Sequence, residues 1–262
     1  MKYLFVYLPK LALALSGNSP FRAVRLYVQL GYFVLLCRLF PGSQREFFLK
    51  GTYRGQEVSY FVEEFINLSS LIEIYVFKEY DWDCGFVPQT ILDLGAHFGD
   101  TALYYNAVYP GAKIIAVEPD PTNFVRLQKN VAAYPNIIPL HCAVGAENGT
   151  VTLFLAQNGL GHSTALRKEN HGSVEVGQVT VATLLSQNGL EKVDLLKFDI
   201  EGAEAALFKD SALVEKSRAF IGELHFDLSS ELKMENVQDR FKDLSVTLEP
   251  SLKKQRFIVK AV

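Results

Sequence analysis

The chain has 262 residues, 49% of them hydrophobic and 21% charged, with a formal net charge of -3. That length and apolar fraction suffice for one large globular core, and they exclude collagen-like, low-complexity and disordered classes. The slightly acidic balance excludes a nucleic-acid binder that works through bulk positive charge. Cys37, Cys84 and Cys142 are an odd, widely scattered set without ligand spacing. Neither a disulfide framework nor a structural zinc site is expected, and a reducing, cytoplasmic setting is.

The charge is uneven. Residues 1–50 carry seven Lys or Arg and one acid, Glu46, whereas the other 212 carry 19 basic and 28 acidic groups. Residues 1–45 therefore read as a separate basic, apolar, helical extension. Its opening imitates a signal peptide, but Pro9 and Lys10 interrupt the apolar run. The longest uncharged apolar stretch, Leu26–Cys37, has twelve residues, short of the about 20 that a transmembrane helix needs. On a helical wheel Arg22, Arg25 and Gln29 share one narrow stripe, with apolar residues over most of the rest. Such a helix either packs on the main body or lies peripherally on an anionic membrane, on its inner face.

Residues 46–89 read as a β-hairpin and a helix leading into the core: strands Phe47–Tyr53 and Glu57–Val62 around a turn at Arg54-Gly55, then a helix over Leu68–Phe77. From residue 90 to 262 strands and helices alternate. Thr90–Leu94, Lys113–Val117 and Ile137–Val144 read as strands separated by helices Asp100–Tyr109 and Pro121–Ala133. Thr150–Ala156 and Gln178–Val181 read as strands around a polar loop, Gln157–Gly177, which holds His162 and His171 and is a candidate wall of an acceptor pocket. Strand Val193–Ile200, helix Ala203–Phe208, strand Ala219–Phe226 and helix Glu231–Leu244 follow. Val246–Glu249 and Arg256–Val262 close the chain as an antiparallel hairpin. This order implies an α/β fold with a doubly wound, mostly parallel sheet and one antiparallel strand.

Three motifs carry chemistry. Asp93-Leu94-Gly95-Ala96-His97-Phe98-Gly99 stands at a strand-to-helix turn, where Gly95 permits close approach of a ligand and Gly99 tight helix–strand packing. The G-x-x-x-G spacing differs from the G-x-G-x-x-G of dinucleotide sites. Glu118, in Val117-Glu118-Pro119-Asp120, ends the next strand 23 residues after Gly95, where an acid can accept both hydroxyls of a ribose. In Lys197-Phe198-Asp199-Ile200-Glu201-Gly202-Ala203-Glu204, the period of two puts Lys197, Asp199 and Glu201 on one face. A lysine in mid-strand needs an anion, and Glu223 on the following strand is the expected partner. His141 reads as a structural strand histidine.

DLGAHFGDT, VEPDP followed by Asn123, CAVG at 142–145 and KFDIEGAE together resemble the FkbM family of S-adenosylmethionine-dependent methyltransferases. The resemblance is strong from Ile91 to Phe226, weaker back to Tyr53 and absent over the first 45 residues. It implies the Rossmann-like class I methyltransferase fold, with seven strands. It also implies S-adenosyl-L-methionine as cofactor and methyl transfer to a hydroxyl of a glycan or secondary metabolite. By that resemblance Asp93, Gly95, Ala96, His97 and Gly99 would surround the methionine part, Glu118 would hold the ribose, and Asp120 and Asn123 would flank the adenosine. The family pattern has Asn where this chain has His97, a bulkier and titratable side chain.

For the acceptor proton, His225 is the expected general base, with Asp199 orienting its imidazole; Asp199 or Glu201 is the alternative base. Asp199, Glu201 and His225 are chemically able to hold a divalent ion, but they lack a recognisable ligand spacing and no metal is expected. Two other functions are weighed against methyl transfer. A nicotinamide-dependent oxidoreductase lacks its glycine motif here, and a non-catalytic membrane-associated binding protein of the same fold would not need the acids at 93, 118, 199, 201 and 223.

Overall fold

The computed structural model describes residues 2–40, 46–156, 170–210, 212–251 and 256–262. Two helices open the chain, α1 (Lys2–Ala14) and α2 (Pro20–Leu39), followed by the hairpin β1 (Phe47–Tyr53) and β2 (Gln56–Val62) and by helix α3 (Phe65–Tyr75). The alternating core runs β3 (Thr90–Leu94), α4 (Asp100–Val108), β4 (Lys113–Val117), α5 (Pro121–Val131) and β5 (Ile137–Leu140). An excursion of β6 (Ala143–Val144), β7 (Gly149–Ala156), β8 (Asn170–Val179) and α6 (Val181–Gln187) returns to β9 (Val193–Phe198). The short helices α7 (Glu204–Leu207) and α8 (Ala212–Glu215), strand β10 (Ser217–His225), helix α9 (Met234–Arg240), β11 (Val246–Pro250) and β12 (Arg256–Ala261) complete it.

Seven strands form one sheet in the order β11-β12-β10-β9-β3-β4-β5. Strands β10, β9, β3, β4 and β5 pair in parallel, and β12 runs antiparallel to both of its neighbours. This is the Rossmann-like class I methyltransferase fold. From β3 the chain winds outward through β4 to β5, then returns to β9 on the other side. The carboxyl ends of β3 and β9 therefore flank the topological switch point, where ligands bind in open α/β sheets.

Alternation along the strands sorts the core into two layers. Ile91, Ile114, Leu195 and Ile221 face one side of the sheet, and Leu92, Ile115, Leu196 and Phe220 face the other, against α6 and α9. The first layer also takes in the N-terminal helices, because Leu8, Leu11, Leu26, Leu30 and Phe33 are buried in the same cluster. Ser19 caps α2 and Pro20 starts it, a favoured pairing at a helix N-terminus. No described helix is long and apolar enough to cross a membrane.

Several elements differ from the sequence expectation. Ile137–Val144 is two strands: β5 leaves the main sheet after Leu140, and β6 joins β8 in a separate three-stranded sheet. His141 thus lies between strands, its Nε2 3.0 Å from the Pro119 carbonyl and its ring stacked on Phe124. Part of the expected polar loop is strand β8, whose Val174 and Val176 alternate between glycines that mask the pattern. His162 lies outside the described residues, as does the side chain of His171. Helix α6 was not anticipated, although Val181, Leu184 and Leu185 have helical spacing and Thr180 caps them.

The expected Lys197–Glu223 pair does not form. Register decides it: Lys197 stands directly opposite Asp93 on β3, and its neighbour on β10 is Ile221, so Glu223 lies one pair of residues further along. Lys197 Nζ lies 3.0 Å from Asp93 Oδ1, with both side chains almost completely buried. Thr101 donates to Asp93 Oδ2 at 2.6 Å, and Lys197 donates to the Gly95 carbonyl at 2.9 Å. Burial opposes the charge on Lys197, but Asp93 holds its pKa above the ordinary lysine value. Removing one member of such a pair leaves a buried charge uncompensated, so Lys197→Met is expected to cost about 3–5 kcal/mol in denaturant unfolding. In double-mutant cycles Lys197→Met should couple strongly to Asp93→Asn and be additive with Glu223→Gln; coupling to Glu223 instead would refute the pairing.

Candidate active site

A cavity of about 270 Å³ opens at the switch point. A single buried water needs only about 10–15 Å³ by the same kind of measure, so this space suits a ligand. Among the sequence candidates Gly95, His97, Glu118, Asn123, Asp199 and Glu201 line it. Asp93, Ala96, Gly99, Asp120 and His225 stand behind its wall.

The turn after β3 is built for closeness. Gly95 and Ala96 both donate to the Val117 carbonyl, tying the turn to β4. Gly95 has φ +76°, and a Cβ there would stand 1.9 Å from the Asp199 carbonyl oxygen. No side chain fits between the loops after β3 and β9. Gly99 serves another contact: its missing side chain lets the start of α4 press on Leu127 and Val131 of α5, so the packing is helix on helix rather than helix on strand.

Glu118 is buried at the end of β4. Its Oε2 accepts from His97 N at 2.8 Å and its Oε1 from Asp120 N at 3.0 Å. Burial nonetheless pushes its pKa up to about 7, against the lowering influence of His97 and the two backbone donors. A carboxylate offers about four lone-pair sites, so acceptor capacity remains toward the cavity. Asp120 caps α5 by accepting from Asn123 N at 2.7 Å, which leaves Asn123 to face the cavity. His97 has φ +50°, and its Nδ1 lies 3.8 Å from Asp100 Oδ2. Burial opposes its charge, but Asp100 raises its pKa; its Nε2 is buried without a hydrogen bond.

Across the cavity a second group gathers around His225 at the end of β10. Its Nδ1 lies 2.6 Å from Glu204 Oε1. Its Nε2 lies 3.4 Å from Asp199 Oδ1, 3.6 Å from Glu201 Oε2 and 3.2 Å from Glu223 Oε2. Burial alone would discharge the imidazole, but Glu204 and Glu223 hold its pKa well above the usual histidine range. Tyr80 donates to Asp199 Oδ2 at 3.0 Å. Arg256 of β12 bonds Asp227 and reaches Glu201 and Glu223 at 3.6 Å. His225 is fully buried, whereas Asp199 and Glu201 retain partial exposure.

Sequence reasoning missed one wall. Ile66, Ser69, Ser70 and Glu73 of α3 line the cavity, and Ser70 bonds Asp100. The signal was present: polar Ser69, Ser70 and Glu73 at helical spacing interrupt an otherwise apolar helix.

Residues 93–249 match the Methyltransferase FkbM domain. The chain belongs to the FkbM methyltransferase family. It is 30% identical over 169 residues to methyltransferase sdnD of Sordaria araneosa, a match covering 51% of this chain and 65% of that protein. It is 28% identical over 132 residues to the 2-O-methyltransferase NoeI of Sinorhizobium fredii, covering 44% of this chain and 54% of that one. The crystal structure of Methyltransferase FkbM from Methylobacillus flagellatus KT superposes with a TM-score of 0.51 at 15% identity, over 99% of this chain and 59% of that one. The chain thus spans less than two thirds of these relatives' length. The FkbM match begins at Asp93, so the α3 wall precedes it.

Proposed function

We propose that this FkbM-family protein is an S-adenosylmethionine-dependent O-methyltransferase that acts on a hydroxyl of a glycan or a similar polyhydroxylated metabolite. The observation that carries the reading is one cavity bordered by Glu118 on one side and by Asp199 and Glu201 on the other. The residues fit the cofactor on physical grounds. The Gly95 turn leaves no room for a Cβ, Glu118 keeps free lone pairs for a diol, and the buried His97 Nε2 has no hydrogen bond. Glu118, Asn123, Gly95 and His97 would hold the cofactor, with Asp93, Ala96, Gly99 and Asp120 shaping the loops behind them.

Bound S-adenosylmethionine supplies a methyl group already activated as a sulfonium. The protein's own task is then to align an acceptor oxygen and receive its proton. His225 suits this less well than the sequence suggested, because it stands behind the cavity wall rather than on it. Asp199 and Glu201 border the cavity, and we assign the hydroxyl's hydrogen bond and its proton to Asp199, with His225 as a positioning residue. The name of NoeI supports oxygen as the methylated atom. An oxidoreductase or a non-catalytic binding protein has no comparable support.

The decisive assay supplies S-adenosylmethionine with a panel of sugars and hydroxylated metabolites and follows S-adenosylhomocysteine and methyl ether formation. Asp199→Asn is expected to lower kcat by about 10²–10⁴-fold while leaving S-adenosylhomocysteine affinity nearly unchanged. Full turnover in that variant would remove Asp199 from the mechanism, and methylation confined to nitrogen or carbon would overturn the O-methyl reading.

Binding should also depend on pH through Glu118. A diol donates to the ionised carboxylate, so below the raised pKa of about 7 binding must first release a proton. S-adenosylhomocysteine affinity should therefore rise with pH and level off above about 7, by at most about tenfold per pH unit. In the free protein the sign is opposite: stability contributed by neutral Glu118 is full below its ordinary pKa of 4.5 and is lost as pH rises through about 7. Calorimetry from pH 5.5 to about 8.5 tests this, with Glu118→Gln expected to bind weakly and without the pH slope; a flat wild-type profile would refute it.

A further inference from the structure

We infer that Asp199, Glu201 and His225 form a binding site for one divalent cation of the Mn²⁺ or Mg²⁺ kind. The inference deepens the reading above and rests on it only for the ion's chemical use. One ligand atom from each residue lies within 4.8 Å of the other two. His225 Nε2 stands 3.4 Å from Asp199 Oδ1 and 3.6 Å from Glu201 Oε2. Ligand atoms at about 2.0–2.2 Å from a common octahedral ion stand about 2.8–3.1 Å apart, so an ion would draw these atoms together by about half an ångström.

The second observation is independent of the acidic cluster. His225 is fully buried and its Nε2, with Glu223 Oε2 at 3.2 Å and Asp199 Oδ1 at 3.4 Å, makes no well-aligned hydrogen bond, nor does Asp199 Oδ1. Glu204 holds the other ring nitrogen at 2.6 Å. That is the arrangement by which a carboxylate fixes a metal-ligating histidine, orienting the ring and leaving the opposite nitrogen to the ion. Tyr80 orients Asp199 through its second oxygen. Asp199, Glu201, Glu204 and Glu223 all lie within 3.6 Å of a His225 ring nitrogen, and Arg256 reaches two of them. The two carboxylates supply the hard oxygen ligands that Mn²⁺ and Mg²⁺ take, and the imidazole adds one nitrogen. Asp199 and Glu201 border the cavity, so a bound ion there can take an acceptor hydroxyl as a further ligand and acidify it.

The competing account is that an imidazolium alone neutralises the cluster, which predicts no affinity for Mn²⁺. The test uses the full chain and Mn²⁺ alone, with free ion read by electron paramagnetic resonance and heat by calorimetry. One Mn²⁺ should bind per chain, and Asp199→Asn and His225→Ala should each weaken it by at least about tenfold. Asp199→Asn is nearly isosteric, so it keeps the test valid if His225→Ala does not fold. Absence of saturable binding, or binding unchanged in Asp199→Asn, overturns the site. Neither methyl donor nor acceptor is present, so this result is separate from the fate of the methyltransferase reading.

A different observation carries a second inference. On α2, Phe21, Val24, Val28, Tyr32, Leu35 and Leu39 are exposed and recur at helical spacing, forming one apolar stripe opposite the buried Leu26, Leu30 and Phe33. Arg25 and Arg38 are exposed along its flanks, and the first 45 residues contain no acid. We propose that this face docks on an anionic lipid surface, the stripe entering the headgroup boundary and the arginines pairing with lipid charge. The full chain should co-sediment with phosphatidylserine vesicles but not with pure phosphatidylcholine ones, losing most binding between about 0.1 and about 0.5 M salt. Val28→Glu with Leu35→Glu should abolish it while unfolding stays cooperative. Failure to bind anionic vesicles, or a dimer that buries the stripe and dissociates in that double variant, overturns the proposal.

Discussion

The buried pair between Asp93 and Lys197 is the constraint on which the site depends. It spans the two strands at the switch point and sets their side chains level with each other. With that register in place, the chain leaves β3 at Gly95 and β9 at Asp199 within touching distance. Lys197 also donates to the Gly95 carbonyl, so one ammonium group ties the sheet's interior to the loop that borders the cavity. Its cost is the desolvation of two charges, and such cost is tolerated where geometry and additional hydrogen bonds are good. Here Thr101 supplies the further bond to Asp93.

The carboxylate group around His225 is a consequence of the same sheet. Glu223 and His225 come from β10, Arg256 from the antiparallel β12 directly opposite His225, and Asp199 and Glu201 from the loop after β9. Insertion of β12 between β10 and β11 delivers the guanidinium to the acids. A parallel strand ending at this edge would bring another loop instead. The one antiparallel strand thus has an electrostatic role at the site as well as closing the sheet.

Much of this was legible in the residues. The glycine turn, the acid at 118 and the ionisable residues of KFDIEGAE are local signals, and strand alternation places them at one sheet edge. Pairing register was not legible, because Glu223 and Asp93 are equally plausible partners for Lys197 until the strands are aligned. Nor was the division of Ile137–Val144, where an apolar run continues past Leu140 although the chain changes sheets. Asp93 and Asp120 illustrate a further limit: a carboxylate that pairs with a lysine or caps a helix looks, in sequence, like one that faces a ligand. His225 was legible as a candidate at a strand end, but the convergence of Glu204, Glu223, Asp199 and Glu201 on its ring was not.

The cavity has two origins along the chain. One wall, from Gly95 to Ala203, comes from the segment that matches the family, and the other comes from α3, which precedes it. Helix α3 packs against α1, and α1 against α2, so the basic N-terminal helices stand directly behind the wall that carries Ser69, Ser70 and Glu73. Glu118 and its surrounding turn lie inside the segment that matches the family. The polar stripe of α3 is the part of the cavity wall that lies outside that segment. Burial of Leu8, Leu11, Leu30 and Phe33 in the same core as Ile91 couples the position of that wall to the N-terminal helices. Helix α2 reaches that wall through α1, which packs on both α2 and α3.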